Sequence, residues 1–220
     1  ALNRYSAALF GYLESLPVAV AANARHREIA YDGFEDYGFL LDCNSDTCNN
    51  GHFNFKRYVD DATVSLDTDT VHSGRYSLQL NGMVALTKTV DLGAATSLYS
   101  FDKGRFVLQS NELAKGFSPL PGKKYVISFW VRDTQPRTPT TDVQVSVNGT
   151  ALVSSLARWP VVEGWKRVEA HFILPTAASF FNLELQSGGG TVYLDDLRIH
   201  PFDGQLKSFA YDASSQRLWA

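Results

Sequence analysis

The segment Val192-Tyr193-Leu194-Asp195-Asp196-Leu197-Arg198-Ile199 holds the most demanding residue of this sequence. Read as a strand, its side chains alternate between two faces, which puts Asp195 with Tyr193, Leu197 and Ile199 on the inward side. A carboxylate among apolar neighbours is costly unless it is paired, hydrogen-bonded or bound to a metal. Two answers stay open at this level. A hard cation with oxygen ligands, calcium above all, accounts for Asp195. So does a place at the end of a sheet, where backbone N–H groups or an arginine meet the carboxylate. Asp196 falls on the opposite face, where solvation suffices.

The other reactive residue types form no catalytic set. Neither His-Glu-x-x-His, Gly-x-Ser-x-Gly nor a phosphate-cradling glycine loop occurs. His26, His52, His72, His171 and His200 are scattered, and His171, between Ala170 and Phe172, reads as a surface strand position. A glycosidase needs two carboxyl groups roughly 5 to 9.5 Å apart, and nothing in the spacing of Glu163, Glu169, Glu184 and Asp196 selects a pair. The expectation is a non-enzyme. Cys43 and Cys48 lie in an Asp/Asn-rich stretch, and a Cys-x4-Cys pair without further cysteines does not complete a tetrahedral zinc site. They are expected to form a small local disulfide, which fits an oxidising compartment, with two reduced loop thiols as the alternative. Asp42, Asn44 and Asp46 alternate like the start of a calcium loop, but the glycine and distal glutamate are missing.

Sugar binding needs exposed aromatic faces with polar groups beside them. Trp159, beside Pro160, and Tyr99 and Phe101 are the candidates, each with packing at the rim of a core as the alternative. Asn148-Gly149-Thr150 fits a glycosylation pattern, although a hairpin turn explains it fully.

The elements that must position these residues are strands. From about Ile29 onward apolar and polar residues alternate, with turn residues every 8 to 12 positions. Tyr125, Ile127, Phe129 and Val131 share one face; Val143, Val145 and Val147 repeat the pattern and end at Asn148-Gly149. Further strands are expected at 62–66, 75–80, 84–90, 166–174, 180–186 and 191–199. The pattern predicts an all-β, two-sheet antiparallel jelly-roll β-sandwich over residues 28–200. Short non-sandwich extensions are expected at 1–27, with a short helix around Tyr5–Tyr12, and at 201–220; both are read as connecting segments. A hydrophobic fraction of 45% supplies a core, and a net charge of −3 gives no footprint for nucleic acid. No apolar run approaches the roughly 20 residues of a membrane helix. Export, where it occurs, is expected to rest on a signal upstream of Ala1.

Asp32-Gly33-Phe34-Glu35, His72-Ser73-Gly74-Arg75-Tyr76-Ser77-Leu78 and Tyr193-Leu194-Asp195-Asp196-Leu197 occur in that order. Together with Pro121–Trp130 and Gly164–Val168, they resemble the calcium-containing jelly-roll carbohydrate-binding modules, the galactose-binding-like domains. The resemblance covers roughly residues 28 to 200. It implies a structural calcium held by Glu35, by backbone carbonyls of the turn at His72, Ser73 and Arg75, and by Asp195, remote from any sugar site. It also implies that Trp130 and Trp165 are framework. Leu16-Pro17-Val18-Ala19, Asn23-Ala24, His200-Pro201-Phe202-Asp203, Phe209-Ala210-Tyr211-Asp212 and Leu218-Trp219-Ala220 are similar to segments of large bacterial YD-repeat (RHS-type) surface proteins. That likeness implies a secreted or cell-surface location. The partners it implies are neighbouring modules of the same polypeptide or a surface partner. The expected role is a non-catalytic structural or interaction module, with glycan binding through exposed aromatics as the alternative.

Overall fold

The computed structural model describes residues 5–40, 52–59, 62–93, 99–108, 116–133, 143–212 and 214–219, with the backbone alone at 99–102, 106–108 and 133. Its elements are strands and three single-turn 3-10 segments. In chain order the strands begin with β1 (Ser6–Gly11), β2 (Leu16–Ala22), β3 (Ala30–Asp32), β4 (Val64–Asp67), β5 (Ser77–Leu80) and β6 (Met83–Thr89). There follow β7 (Tyr99–Asp102), β8 (Arg105–Leu108), β9 (Lys124–Asp133), β10 (Gln144–Val147) and β11 (Thr150–Val153). The last are β12 (Val161–Val162), β13 (Trp165–Ile173), β14 (Phe180–Gln186), β15 (Val192–Pro201) and β16 (Gln205–Ser208).

Two antiparallel sheets make the β-sandwich. The larger runs β12-β13-β9-β15-β5-β4, with β3 also on β15; the smaller runs β11-β10-β14-β6. Alternation does what the sequence says it should. Tyr125, Ile127, Phe129 and Val131 of β9 face Val145, Val147, Phe181, Leu183 and Leu185 of the smaller sheet in one core. The β10–β11 turn at Asn148-Gly149 takes positive φ at both positions (49° and 75°), the twist that a two-residue hairpin needs. β7 and β8 form a separate hairpin.

The chain ends depart from expectation. Residues 6–11 form a strand, not a helix: β1 pairs with β2, burying Leu9 while Phe10 faces out. The segment mixes alanine with aromatics, and its period of two fits a sheet with one covered face. β2 also pairs with β16, so a three-stranded sheet joins the two ends of the chain. Leu9, Ala19 and Ala21 cover Ile29 and Tyr31 in a second, smaller core. Beyond β16, Tyr12 Oη donates to the Tyr211 carbonyl at 2.8 Å and Tyr211 Oη donates to the Pro17 carbonyl at 3.0 Å.

Candidate functional site

The register of β15 breaks between Asp195 and Arg198. Before the break its free edge pairs with β5 through Val192–Leu194; after it, the same edge pairs with β3 through Leu197–Ile199. Asp195 and Asp196 therefore occupy a bulge facing a gap between two partner strands, and Asp196 adopts φ +54°. A bulge re-aims side chains, and this one alters the strict alternation expected from sequence. Val192 and Leu194 point into the core, as do Leu197 and Ile199, whereas Tyr193 is only half-buried. Asp196, expected to be solvated, is buried as well, at 4% exposure.

The turn preceding β5 fills the gap. Asp195 Oδ2 accepts the N–H groups of His72 and Ser73 at 2.9 and 3.0 Å, and its Oδ1 accepts that of Asp196 at 2.7 Å. From the segment after β3, Glu35 Oε1 accepts the N–H groups of Arg75 and Tyr76 at 2.8 and 2.9 Å. Two adjacent N–H pairs of one turn are thus held by carboxylates from the first and last parts of the sandwich. Gly74 between them has φ +69°, and a Cβ there would lie 2.3 Å from Glu35 Oε1. Asp196 binds the Ser73 hydroxyl at 3.0 Å, His72 Nδ1 at 3.3 Å, the Tyr31 hydroxyl at 3.1 Å and Arg198 Nη2 at 3.3 Å. The His72 ring stacks on Trp130 at 4.0 Å and meets the edge of the buried Trp165, so both tryptophans serve the framework.

Electrostatics separate the three acids. Burial raises Asp195, and the charge of Asp196 adds to this, against the pull of the N–H donors. Burial pushes Glu35 up to about 7, with the Tyr76 and Arg75 amides drawing it back. Burial also raises Asp196, but His72, Arg198, Ser73 and Tyr31 outweigh it and hold that acid below its usual range. The site brings Glu35, Asp195, His72, Ser73 and Arg75 to one place. What the turn offers to the carboxylates is amide N–H. Among the described residues no group of three or more His, Cys, Asp or Glu side chains is arranged as a metal site.

The remaining candidates lie elsewhere. Trp159 is half-buried against the main core, with Arg158 stacked 4.6 Å from its ring centroid and Nε1 buried without a hydrogen-bond partner. Tyr99 and Phe101 stand on β7, and their side chains fall outside the described residues. Cys43 and Cys48, with Asp42, Asn44 and Asp46, also lie outside them.

A second polar arrangement was not visible in the sequence. On the outer face of the smaller sheet, Ser146 Oγ donates to Glu184 Oε2 at 2.8 Å and Asn182 Nδ2 donates to Glu184 Oε1 at 2.9 Å. Thr87 Oγ1 donates to Asn182 Oδ1 at 2.7 Å, which carries the row across β10, β14 and β6. Gln144 and Gln186 lie opposite each other at one end, next to Met83; Phe180 ends β14 at the other. Alternation could place each residue outward, but cross-strand register alone makes them a row.

No protein-family model matches the chain, and no curated protein gives a significant match. Solved structures do. The CBM22-1 xylan-binding domain from Paenibacillus barcinonensis Xyn10C is 15% identical with a TM-score of 0.37, over 63% of this chain and 80% of that one. A family 16 carbohydrate-binding module-2 is 16% identical with a TM-score of 0.35, over 62% and 84%. The enzymatically active domain of bacteriophage CBA120 tailspike protein 4 is 15% identical with a TM-score of 0.33, over 64% of this chain and 18% of that chain.

Proposed function

We propose that this chain is a non-catalytic glycan-binding module that uses the outer face of the four-stranded sheet. The observation that carries this is the row Ser146–Glu184–Asn182–Thr87. Its side chains are held by one another, so little ordering remains to be done when a ligand arrives. A carboxylate fixed by two donors keeps lone pairs for sugar hydroxyls. Phe180 and Met83, 49% and 55% exposed, supply apolar surface for the C–H side of a ring. The test is a glycan array with the whole chain, followed by Glu184→Gln and Asn182→Ala on any hit. A loss of about tenfold or more is expected for each. A uniformly negative array would sink this reading.

A second reading, a structural or interaction module within a larger exported bacterial surface polypeptide, is favoured by one observation. The β1-β2-β16 sheet brings both chain ends together on the sandwich. Calcium is a separate proposal. Buried oxygen donors are the chemistry of a hard cation, and Glu35 and Asp195, with the turn at His72, Ser73 and Arg75, are the residues that would hold it. Binding there would replace amide hydrogen bonds, and a thermal midpoint unchanged by a chelator would retire the idea.

A further inference from the structure

Between the β10–β11 hairpin and the paired ends of β9 and β13 lies a cleft of about 320 Å³, lined by Lys124, Asn148, Thr150, Leu152, His171 and Ile173 among others. That is the lower end of the range for small-ligand clefts, room for a single ring. It uses none of the side chains of the row on the four-stranded sheet.

The charge of the cleft has one sign. Lys123 is neutralised by Glu28 at 2.9 Å, yet Lys124 has no acidic partner among the described residues, and no carboxylate lines the cleft. The Lys124 ammonium instead sits 3.9 Å from the centroid of the Phe202 ring, whose edge-on neighbour is His171 at 5.0 Å. The Phe202 N–H donates to the Lys124 carbonyl at 2.9 Å, which fixes the ring beside the lysine. Lys124 is exposed and has no counter-ion among the described residues, so its charge is open to an anion that reaches the rim.

The other walls define the rest of the ligand. Ile173 is 61% exposed and, with Leu152 and Pro175, gives an apolar floor. Asn148 is held rigid: its Nδ2 donates to the Phe180 carbonyl at 2.9 Å and its Oδ1 accepts the Asn182 N–H at 2.7 Å. One N–H and one lone pair of that amide stay available, and the Thr150 hydroxyl stands two residues away.

We propose that this rim cleft binds a carboxylated sugar ring, a hexuronate unit. Its carboxylate lies on Lys124, its C–H face on Ile173 and Leu152, and its hydroxyls towards Asn148 and Thr150. The experiment titrates the whole isotope-labelled chain with sodium glucuronate, glucose and sodium benzoate while following backbone amide shifts.

Glucuronate should give saturable shifts at Lys124, Asn148, Thr150 and His171, and glucose none. Lys124→Gln should weaken glucuronate binding about tenfold or more, as loss of a charge-assisted hydrogen bond requires. Its thermal midpoint, and a second variant, Ile173→Ser, guard against a folding artefact. Glu184→Gln should leave glucuronate binding unchanged, so failure of the sheet-face reading and failure of this one are distinguishable. Equal binding of glucose and glucuronate, unchanged affinity in folded Lys124→Gln, or no saturable shifts would each overturn the proposal. Benzoate binding without glucuronate would assign the cleft to flat aromatic acids and overturn it too.

Discussion

Replacing Asp195 with alanine tests the closure of the gap in β15 most directly. The wild-type carboxylate accepts three backbone N–H groups, from His72, Ser73 and Asp196, at a fully buried position. Removing it orphans all three, at about 1–3 kcal/mol each if none finds water. The vacated volume is large enough to admit a water that recovers part of this, so we expect a net loss of about 3 kcal/mol. For a chain of 220 residues that corresponds to about 6–12 °C in the melting midpoint. Asp195→Asn keeps one acceptor oxygen and should cost less than half as much.

The assay is thermal unfolding by near-UV circular dichroism at neutral pH, in chelator and in added calcium. A fall within the expected range in chelator means that the amides and the carboxylate close the gap by themselves. A wild-type midpoint that drops in chelator, with the difference abolished in Asp195→Ala, would add the cation. A folded Asp195→Ala protein melting within about 2 °C of wild type in both buffers would refute the reasoning, because a buried acceptor of three amides cannot be that cheap to delete.

Gly74→Ala should lower the midpoint by about 5 °C, since a left-handed φ costs about 1–2 kcal/mol for a residue with a Cβ and that atom would strike Glu35 Oε1; combining it with Glu35→Ala should relieve the steric part, and two fully additive losses would contradict the contact. Asp32, raised by burial to about 8, keeps its proton in the folded chain from its unfolded value near 4 up to that pH. Stability should therefore be greatest at the acid end of this window and fall as pH rises through it, by up to about 1.4 kcal/mol per unit from this group. Urea titrations between pH 5 and 8 should show a flatter slope in Asp32→Asn, and an unchanged slope would count against the assignment. Glu184→Gln should leave the midpoint within about 2 °C of wild type while glycan retention falls, because the row lies on the open face of the sheet; a large destabilisation would make the row a structural device.

How much of this was legible in the sequence depends on the range over which each feature is decided. The strands β9, β13 and β14 declare themselves because one buried face repeats every second residue, from Tyr125 to Val131 and from Phe181 to Leu185. Asp195 stood out for the right reason, an acid among apolar residues, but its setting did not. Counting back from Ile199 assigns Tyr193 to the core, and only the bulge explains why Leu194 lies there instead. The role of Asp196 was hidden for the same reason. The closing sheet was out of reach because Ala19–Ala22 and Gln205–Ser208 pair across nearly the whole chain, and four residues of β16 carry little pattern of their own. The row on the smaller sheet depends on the pairing of Ser146 with Glu184 and of Asn182 with Thr87, which hydropathy does not encode.

These pairings also say which polar groups are committed to the fold and which are left over. β15 meets β9 along one edge and β3 and β5 along the other, and after a short turn the chain returns as β16 to β2. A defect at its bulge would loosen the main sheet at the point where three strands converge. Asp195, Asp196 and Glu35 answer that need with acceptors, and Arg27 and Glu28 do similar work nearby. Arg27 Nε donates to the Ser118 carbonyl at 2.8 Å, and Glu28 accepts the Tyr125 hydroxyl at 3.2 Å and pairs with Lys123. Groups consumed in this way have little capacity left for a ligand. Glu184 and Lys124 differ: the first is steadied by neighbours on an open face, and the second keeps its charge uncompensated at the rim. The ligand sites proposed above rest on these two side chains, whereas the conspicuous buried acids of the sequence hold β3, β5 and β15 together.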